Sequence, residues 1–228
     1  MNEHTVKAFD TDIGQLRGLI SEMGGLAEDA IAKAMQALQR SDLELAAEVR
    51  AADRRIDELE AEVESLAVRI IALRAPLAID LREVVAAMKI ASVVERIADY
   101  AKNIAKRVPL IESEHRIEPV SILPAMGRMA AEMVRGALDA FAARDAKSAA
   151  HVWHSDPPLD DFYDSIFRTL VTFMVENPAT ISQVAHLLFI AKNLERIGDH
   201  ATNVAEMVYF AATGEHLAER ERGGGERD

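Results

Sequence analysis

The chain reads as all-α, two tandem pseudo-symmetric three-helix bundles made of six long helices. Three observations predict this: apolar residues recur at helical spacing almost throughout, no stretch alternates with the period of two of a half-buried strand, and the first half of the chain returns in the second.

The first helix is predicted from about His4 to Arg40, with Ile13, Leu16, Ile20, Met23, Ala27, Ala30 and Ala34 on one face. Ser41-Asp42 offers an N-cap for a second helix carrying Leu45, Val49, Ile56, Leu59, Val63, Leu66, Ile70 and Leu73, which stops near Arg74-Ala75-Pro76. A third runs from about Ile79 to Val108, bounded by Pro76 and Pro109. Pro119 and Pro124 introduce the second half, with helices over Ile122 to Ala143, Ala146 to Glu176 and Thr180 to Ala212. Helices of about 30 residues are rods roughly 45 Å long, and short turns between them favour antiparallel neighbours. The expected units are 1–112 and 113–214, followed by a disordered acidic, glycine-rich tail over 215–228.

The repeat is residue-specific. A shift of 103 places Met23-Gly24 on Met126-Gly127, Ala34 on Ala137, Asp42 on Asp145, Val49 on Val152, Asp53 on Asp156 and Asp57 on Asp160. A shift of 100 then matches Ile90, Ala91, Glu95, Arg96, Ile97, Asp99, Ala101, Asn103 and Ala105 to identical residues. Helical alanine alone would not reproduce Glu, Arg, Asp and Asn.

Composition narrows the function. The 228 residues are half hydrophobic, enough for a real core. Cysteine is absent, which excludes disulfides, thiol nucleophiles and thiolate metal sites. The net charge of −12 repels phosphate backbones and anionic lipid, so no nucleic-acid role is expected and membranes are reached only through partners. Met1-Asn2-Glu3-His4 has no basic or apolar leader pattern, and a cytoplasmic protein is expected.

The polar residues that repeat are carboxylates. On a helix Glu95, Asp99 and Asn103 fall within about 80° of one another, as do Glu195, Asp199 and Asn203. Each stripe lies across from the apolar seam, such as Ile190, Leu194, Ile197, Ala201, Val204 and Val208, and is expected to face solvent or something that covers it. The preceding helices add Asp53 with Asp57, and Asp156 with Asp160, although like charges four apart cost a few tenths of a kcal/mol. Brought together, such groups make a patch of hard oxygen ligands for Mg²⁺, Ca²⁺, Mn²⁺ or iron. The plainer reading is that Arg96 and Arg196 pair with nearby carboxylates and the stripes are solvated surface.

The competing reading is an enzyme. A di-iron helical oxidase needs Glu-x-x-His pairs, but Ala98 and Gly198 stand where the histidines belong. His151 with His154, His186 and His200 match Glu48, Ala51, Ala86 and Tyr100 in the other half, so surface or packing roles are expected of them. No triad, P-loop or dinucleotide fingerprint is present, and Gly24-Gly25 inside a helix points to close packing or a local irregularity.

Arg74-Ala75-Pro76-Leu77-Ala78-Ile79-Asp80-Leu81-Arg82, Glu95-Arg96-Ile97-Ala98-Asp99 and Glu195-Arg196-Ile197-Gly198-Asp199 together resemble the PhoU family of phosphate-signalling regulators, over residues 5 to 214. The resemblance implies a six-helix regulator, often a homodimer, that restrains phosphate uptake and the starvation response when phosphate is plentiful. It implies partners in the phosphate ABC transporter ATPase and a sensor histidine kinase, and it implies no catalysis. It further implies divalent or iron cations on the acidic motifs, with Glu95, Asp99, Glu195 and Asp199 as ligands and Asp53, Asp57, Asp156 and Asp160 as their partners. One departure stands out. Pro157-Pro158 follows Asp156 where the first half has Arg54-Arg55, which predicts Asp156 as an N-cap to a restarted helix and the first acidic patch as the better formed.

Overall fold

The structure, a computed structural model, describes residues 2–111 and 118–217. Among the described residues seven α-helices follow in order: α1 Asn2–Arg40, α2 Leu43–Arg74, α3 Ile79–Ala105, α4 Leu123–Ala143, α5 Ala146–His154, α6 Pro157–Glu176 and α7 Ile181–Thr213. The first three pack mutually as one bundle; α4, the α5–α6 rod and α7 form the second. The six expected rods are thus present, with the fifth broken. The expected unit boundary at 112–113 and the tail from residue 218 onward lie outside the described residues. No described helix is long and apolar enough to cross a membrane.

The break has a plain cause. Pro157 and Pro158 have no N–H to give the carbonyls of Trp153 and His154, so one helix from Ala146 to Glu176 cannot form. Proline is tolerated at the first helical positions, and α6 starts there. Asp156 sits at the N-cap as expected, but its backbone carbonyl does the capping: it accepts from Leu159 N at 2.8 Å and Asp160 N at 3.2 Å, while the side chain makes no cap bond. α3 likewise stops at Ala105, short of Val108, because Pro109 has no N–H for the Ala105 carbonyl; a 3₁₀ turn, Val108–Leu110, follows.

The turns repeat as well as the helices. Ser41 and Arg144, 103 apart, both take the left-handed conformation with φ of 54° and 53°. Each is followed by an aspartate cap: Asp42 Oδ1 accepts from Leu45 N at 3.0 Å, and Asp145 Oδ1 accepts from Lys147 N at 2.9 Å.

The predicted apolar faces are buried, including Ile13 through Ala34 on α1 and Ile190 through Val208 on α7. On α2, Leu45 is only partly buried and Leu73 is 70% exposed. The next seam position after Leu66 and Ile70 is Arg74, whose Nε reaches Asp12 Oδ2 of α1 at 3.0 Å, so Leu73 is turned about 100° away.

The two bundles meet through α1 on α4 and α3 on α7. Both pairs are antiparallel, as the contacts show: Arg82 with Ala211, Tyr100 with His200, and Arg107 with His186 on one pair, and Glu28 with Arg135 on the other. Tyr100 and His200 are repeat equivalents that touch edge-to-face, with ring centroids 5.2 Å apart, and therefore mark the pseudo-twofold axis. Glycine makes the α1–α4 contact possible. A Cβ on Gly24 would collide with Leu138 of α4, and one on Gly127 would collide with Met35 of α1. Gly24 and Gly127 are equivalents, as are Met35 and Leu138, so each unit inserts the same knob into the other's glycine hole. A buried carboxylate joins the units at one end: Glu83 of α3, 6% exposed, accepts from Arg17 Nε at 2.6 Å and pairs with Arg144 Nη2 at 2.5 Å.

This packing predicts a contrast between neighbouring glycines. Gly24→Ala and Gly127→Ala overpack the interface, costing about 1–3 kcal/mol against a helix-propensity gain of about 1 kcal/mol. Gly25→Ala, whose Cβ would meet nothing within 4 Å, should gain up to about 1 kcal/mol. Urea denaturation of the three variants measures both signs.

Candidate metal centre

The acidic stripes do not face open solvent. Glu95 and Asp99 of α3 are half-buried toward α2, and Glu195 and Asp199 of α7 are half-buried toward α6. The seam is wider than the sequence pattern implied: Ala98 and Gly198, within the stripes, are themselves buried. Each stripe therefore lines a groove between two helices, with the aspartates of α2 or α6 on the opposite wall.

In the first groove Asp53 is 8% exposed, and its carboxylate pairs with the ammonium of Lys102. The same Lys102 Nζ lies 2.6 Å from Asp99 Oδ1. Burial alone would lower the pKa of Lys102, but hydrogen bonds to Asp53 and Asp99 and their charges outweigh it, and the pKa is raised. Glu95 is pushed up to about 6, first by burial and then by the charges of Asp99, Glu60, Asp57 and Asp53. Asp57 is raised for the same reasons, burial first.

The second groove brings three carboxylates to one point. Asp156, Asp160 and Asp199 each present an oxygen within 4.8 Å of the others, the one such three-ligand group among the described residues. Gly198 permits this approach, since a Cβ there would collide with Leu159, which sits between Asp156 and Asp160 on α6. Asp199 is pushed up to about 6 by burial, then by the charges of Glu195, Asp156 and Asp160, with Lys192 opposing. Glu195 Oε1 accepts from Lys192 Nζ at 2.6 Å, whereas its buried Oε2 has no hydrogen-bond partner. Lys192 also lies 5.1 Å from the ring centroid of Tyr163, on the far side of Glu195 in sequence from Asp199.

Two expectations change. The second groove, and not the first, gathers the tighter carboxylate group: Gly198 lets α6 close in, and Asp156 at the head of α6 stays as buried as Asp53 despite the proline break. The cations that answer the carboxylates are Lys102 and Lys192, not Arg96 and Arg196, both of which are exposed; Arg196 lies 5.9 Å from the ring of Tyr100. A signal for the lysines was available, since each stands three residues from a stripe carboxylate on the same helical face. The histidines pack as expected: His200 Nδ1 lies 2.8 Å from the Arg196 carbonyl, and His154 Nδ1 lies 2.6 Å from that of Ala150.

The motifs invite comparison with known proteins. A model of the PhoU domain matches residues 20–108 and again 123–208. The chain belongs to the PhoU family. It is 60% identical over 220 residues to the phosphate-specific transport system accessory protein PhoU homolog of Zymomonas mobilis, covering 96% of this chain and 93% of that one. The Caulobacter vibrioides homolog of the same name is 45% identical over 221 residues, 95% of each chain. Crystal structures agree in fold. PhoU from Pseudomonas aeruginosa superposes with a TM-score of 0.87 at 36% identity, covering 91% of this chain and all of that one. The phosphate transport system regulatory protein PhoU from Streptococcus pneumoniae gives 0.86 at 27% identity, covering 92% and 100%. The PhoU family comprises accessory regulators, and the chain is not an enzyme.

The donors of the second PhoU groove fit a hard cation. Three carboxylate oxygens within 4.8 Å are spaced as a cation with oxygen bonds of about 2.0–2.6 Å requires; the buried Oε2 of Glu195, four residues before Asp199 on α7, has no hydrogen-bond partner but lies outside that group. Without a cation the same group opposes folding. Asp199 binds its proton more tightly in the folded chain than in the unfolded one, so its burden is full above pH 6 and fades as pH falls below 6 toward 4. In chelator, Asp199→Asn should stabilise the protein at pH 7.5 by about 1 kcal/mol after allowance for solvent screening, and have no effect near pH 4. Thermal melts across that range test the sign.

Proposed function

We infer that this chain is a non-catalytic, cytoplasmic accessory regulator of the phosphate-specific transport system. It lowers phosphate uptake and starvation-gene expression by contact with the transporter ATPase and a sensor histidine kinase, working as a homodimer. The observation that carries this reading is the 60% identity, over 96% of the chain, to an accessory protein named for that system. The two helix grooves are its working surfaces. In the second, Asp156, Asp160 and Asp199, with Glu195, hold a divalent or iron cation; in the first, Asp53, Asp57, Glu95 and Asp99 supply matching donors around Lys102.

A direct salt bridge from a partner to Asp156 or Glu195 is disfavoured by burial. Asp156 is 9% exposed and the Glu195 side chain 13%, so an arginine arriving from another protein would be desolvated along with them. A cation small enough to enter the groove avoids that cost and braces α6 against α7. The groove rim then presents one fixed shape to a partner.

Deleting the protein should leave phosphate-starvation genes expressed in phosphate-rich medium; silent genes would sink the regulatory reading. Asp156→Asn with Asp199→Asn should lower bound metal by elemental analysis and weaken capture of the transporter ATPase in pull-downs by about tenfold. Full capture by metal-free protein would rule out a cation-shaped interface.

A further inference from the structure

The repeat allows each groove to be compared with the other, residue for residue. The second-groove carboxylates Asp156, Asp160 and Asp199 correspond to Asp53, Asp57 and Asp99 in the first. In the first groove two of those three are already bridged, since Lys102 pairs with Asp53 and lies 2.6 Å from Asp99. The ammonium thus occupies the position, between the two helices, around which the second groove's carboxylates converge. The counterpart of Lys102 is Thr202, whose hydroxyl donates to the carbonyl of Asp199 at 2.7 Å and brings no charge to the carboxylates. The second unit does carry a lysine on its stripe, at 192 where the first unit has Ser92. That lysine is committed elsewhere, to Glu195 and the face of Tyr163, a residue matched by Glu60 in the first unit.

We propose that Lys102 is a built-in cation that closes the first groove to metal, so that the protein loads metal at one of its two structurally equivalent grooves. An ammonium held by two carboxylates occupies the oxygens a divalent ion would use and cancels half of their charge. A metal entering the first groove must displace it, leaving the lysine partly buried without its carboxylates. Entry at the second groove displaces no lysine from the equivalent position. The two grooves differ accordingly in role: the first is locked by the chain itself, whereas the second responds to the cation available. This rests on the reading that the second groove binds a cation, and the test separates the two.

The probe is Mn²⁺ added to chelator-stripped full-length protein, read by equilibrium dialysis with elemental analysis, with circular dichroism to confirm helicity. Lys102→Thr, which installs the residue of the other repeat, should bind roughly one more Mn²⁺ per chain than wild type, and adding Asp99→Asn should remove the gain. Thr202→Lys should lower binding at the second groove at least about tenfold by placing an ammonium beside Asp199. Folded Lys102→Thr that binds no more than wild type overturns the proposal. So does Thr202→Lys that binds as wild type does, a result readable even where the first variant fails to fold. Wild-type binding that survives Asp156→Asn with Asp199→Asn overturns instead the cation reading of the second groove, independently of either lysine variant.

Discussion

Glycine-permitted close packing across one pseudo-twofold axis is the constraint on which the remainder of the structure depends. Gly24 and Gly127 each cost about 1 kcal/mol of helix propensity relative to alanine. Each admits a side chain, Leu138 or Met35, whose burial returns about 1.5–3 kcal/mol. The exchange favours glycine, and it fixes the register of α1 on α4. With that register set, α3 and α7 run side by side and bury Ile90, Val94, Ile97, Ile190, Leu194 and Ile197 completely. Glu83, clamped between Arg17 and Arg144, ties the same interface at its end.

The inner helices are thereby anchored on their apolar sides, which is what lets their other edges carry repulsion. The raised pKa values of Glu95 and Asp199 mark carboxylates crowded by their own kind and partly withdrawn from water. An isolated helix pair would relieve that crowding by separating. Here α6 cannot readily withdraw, because Leu159 is fully buried in the space left by Gly198. Core packing holds the carboxylates in place, and the cost of holding them is what a cation would relieve on the proposed reading. The absence of a side chain at residue 198 is thus as much a part of the site as the carboxylates are.

The fold was legible because it rests on periodicity and repetition, signals that survive in a single sequence. Helix ends were read closely wherever local chemistry decides them, as at Asp42 and at Arg74-Ala75-Pro76. The end of α3 was read three residues late, since Pro109 acts on a carbonyl one turn upstream. The site was only half legible. Both carboxylate sets stood out, yet their burial did not, because the helical projection shows one helix at a time and the groove is made by two. Lys102 and Lys192 were hidden for a related reason: a lysine three residues from an acid is an ordinary surface pair until the neighbouring helix supplies Asp53. The proline break misled in the opposite direction. It weakens the helix locally, but it also seats Asp156 at the start of α6, pointing at α7.

Duplicated units can diverge in function without diverging in fold only where substitutions leave the packing alone, and the groove positions meet that condition. Ser92 against Lys192, Lys102 against Thr202, and Glu60 against Tyr163 all lie at or near the groove, outside the fully buried seam. None replaces a fully buried seam residue, although Tyr163 adds a ring packed against the core. Each does alter local charge, and together they carry the stripe lysine from one side of the acidic cluster to the other. The backbone accordingly remains twofold while the electrostatics do not. One groove has two of its carboxylates bridged from within by Lys102, and the other keeps its carboxylates converged. On the reading proposed for the second groove, a symmetric scaffold with a single cation-responsive groove per chain would confine any cation-driven change to one face and leave the other surface constant.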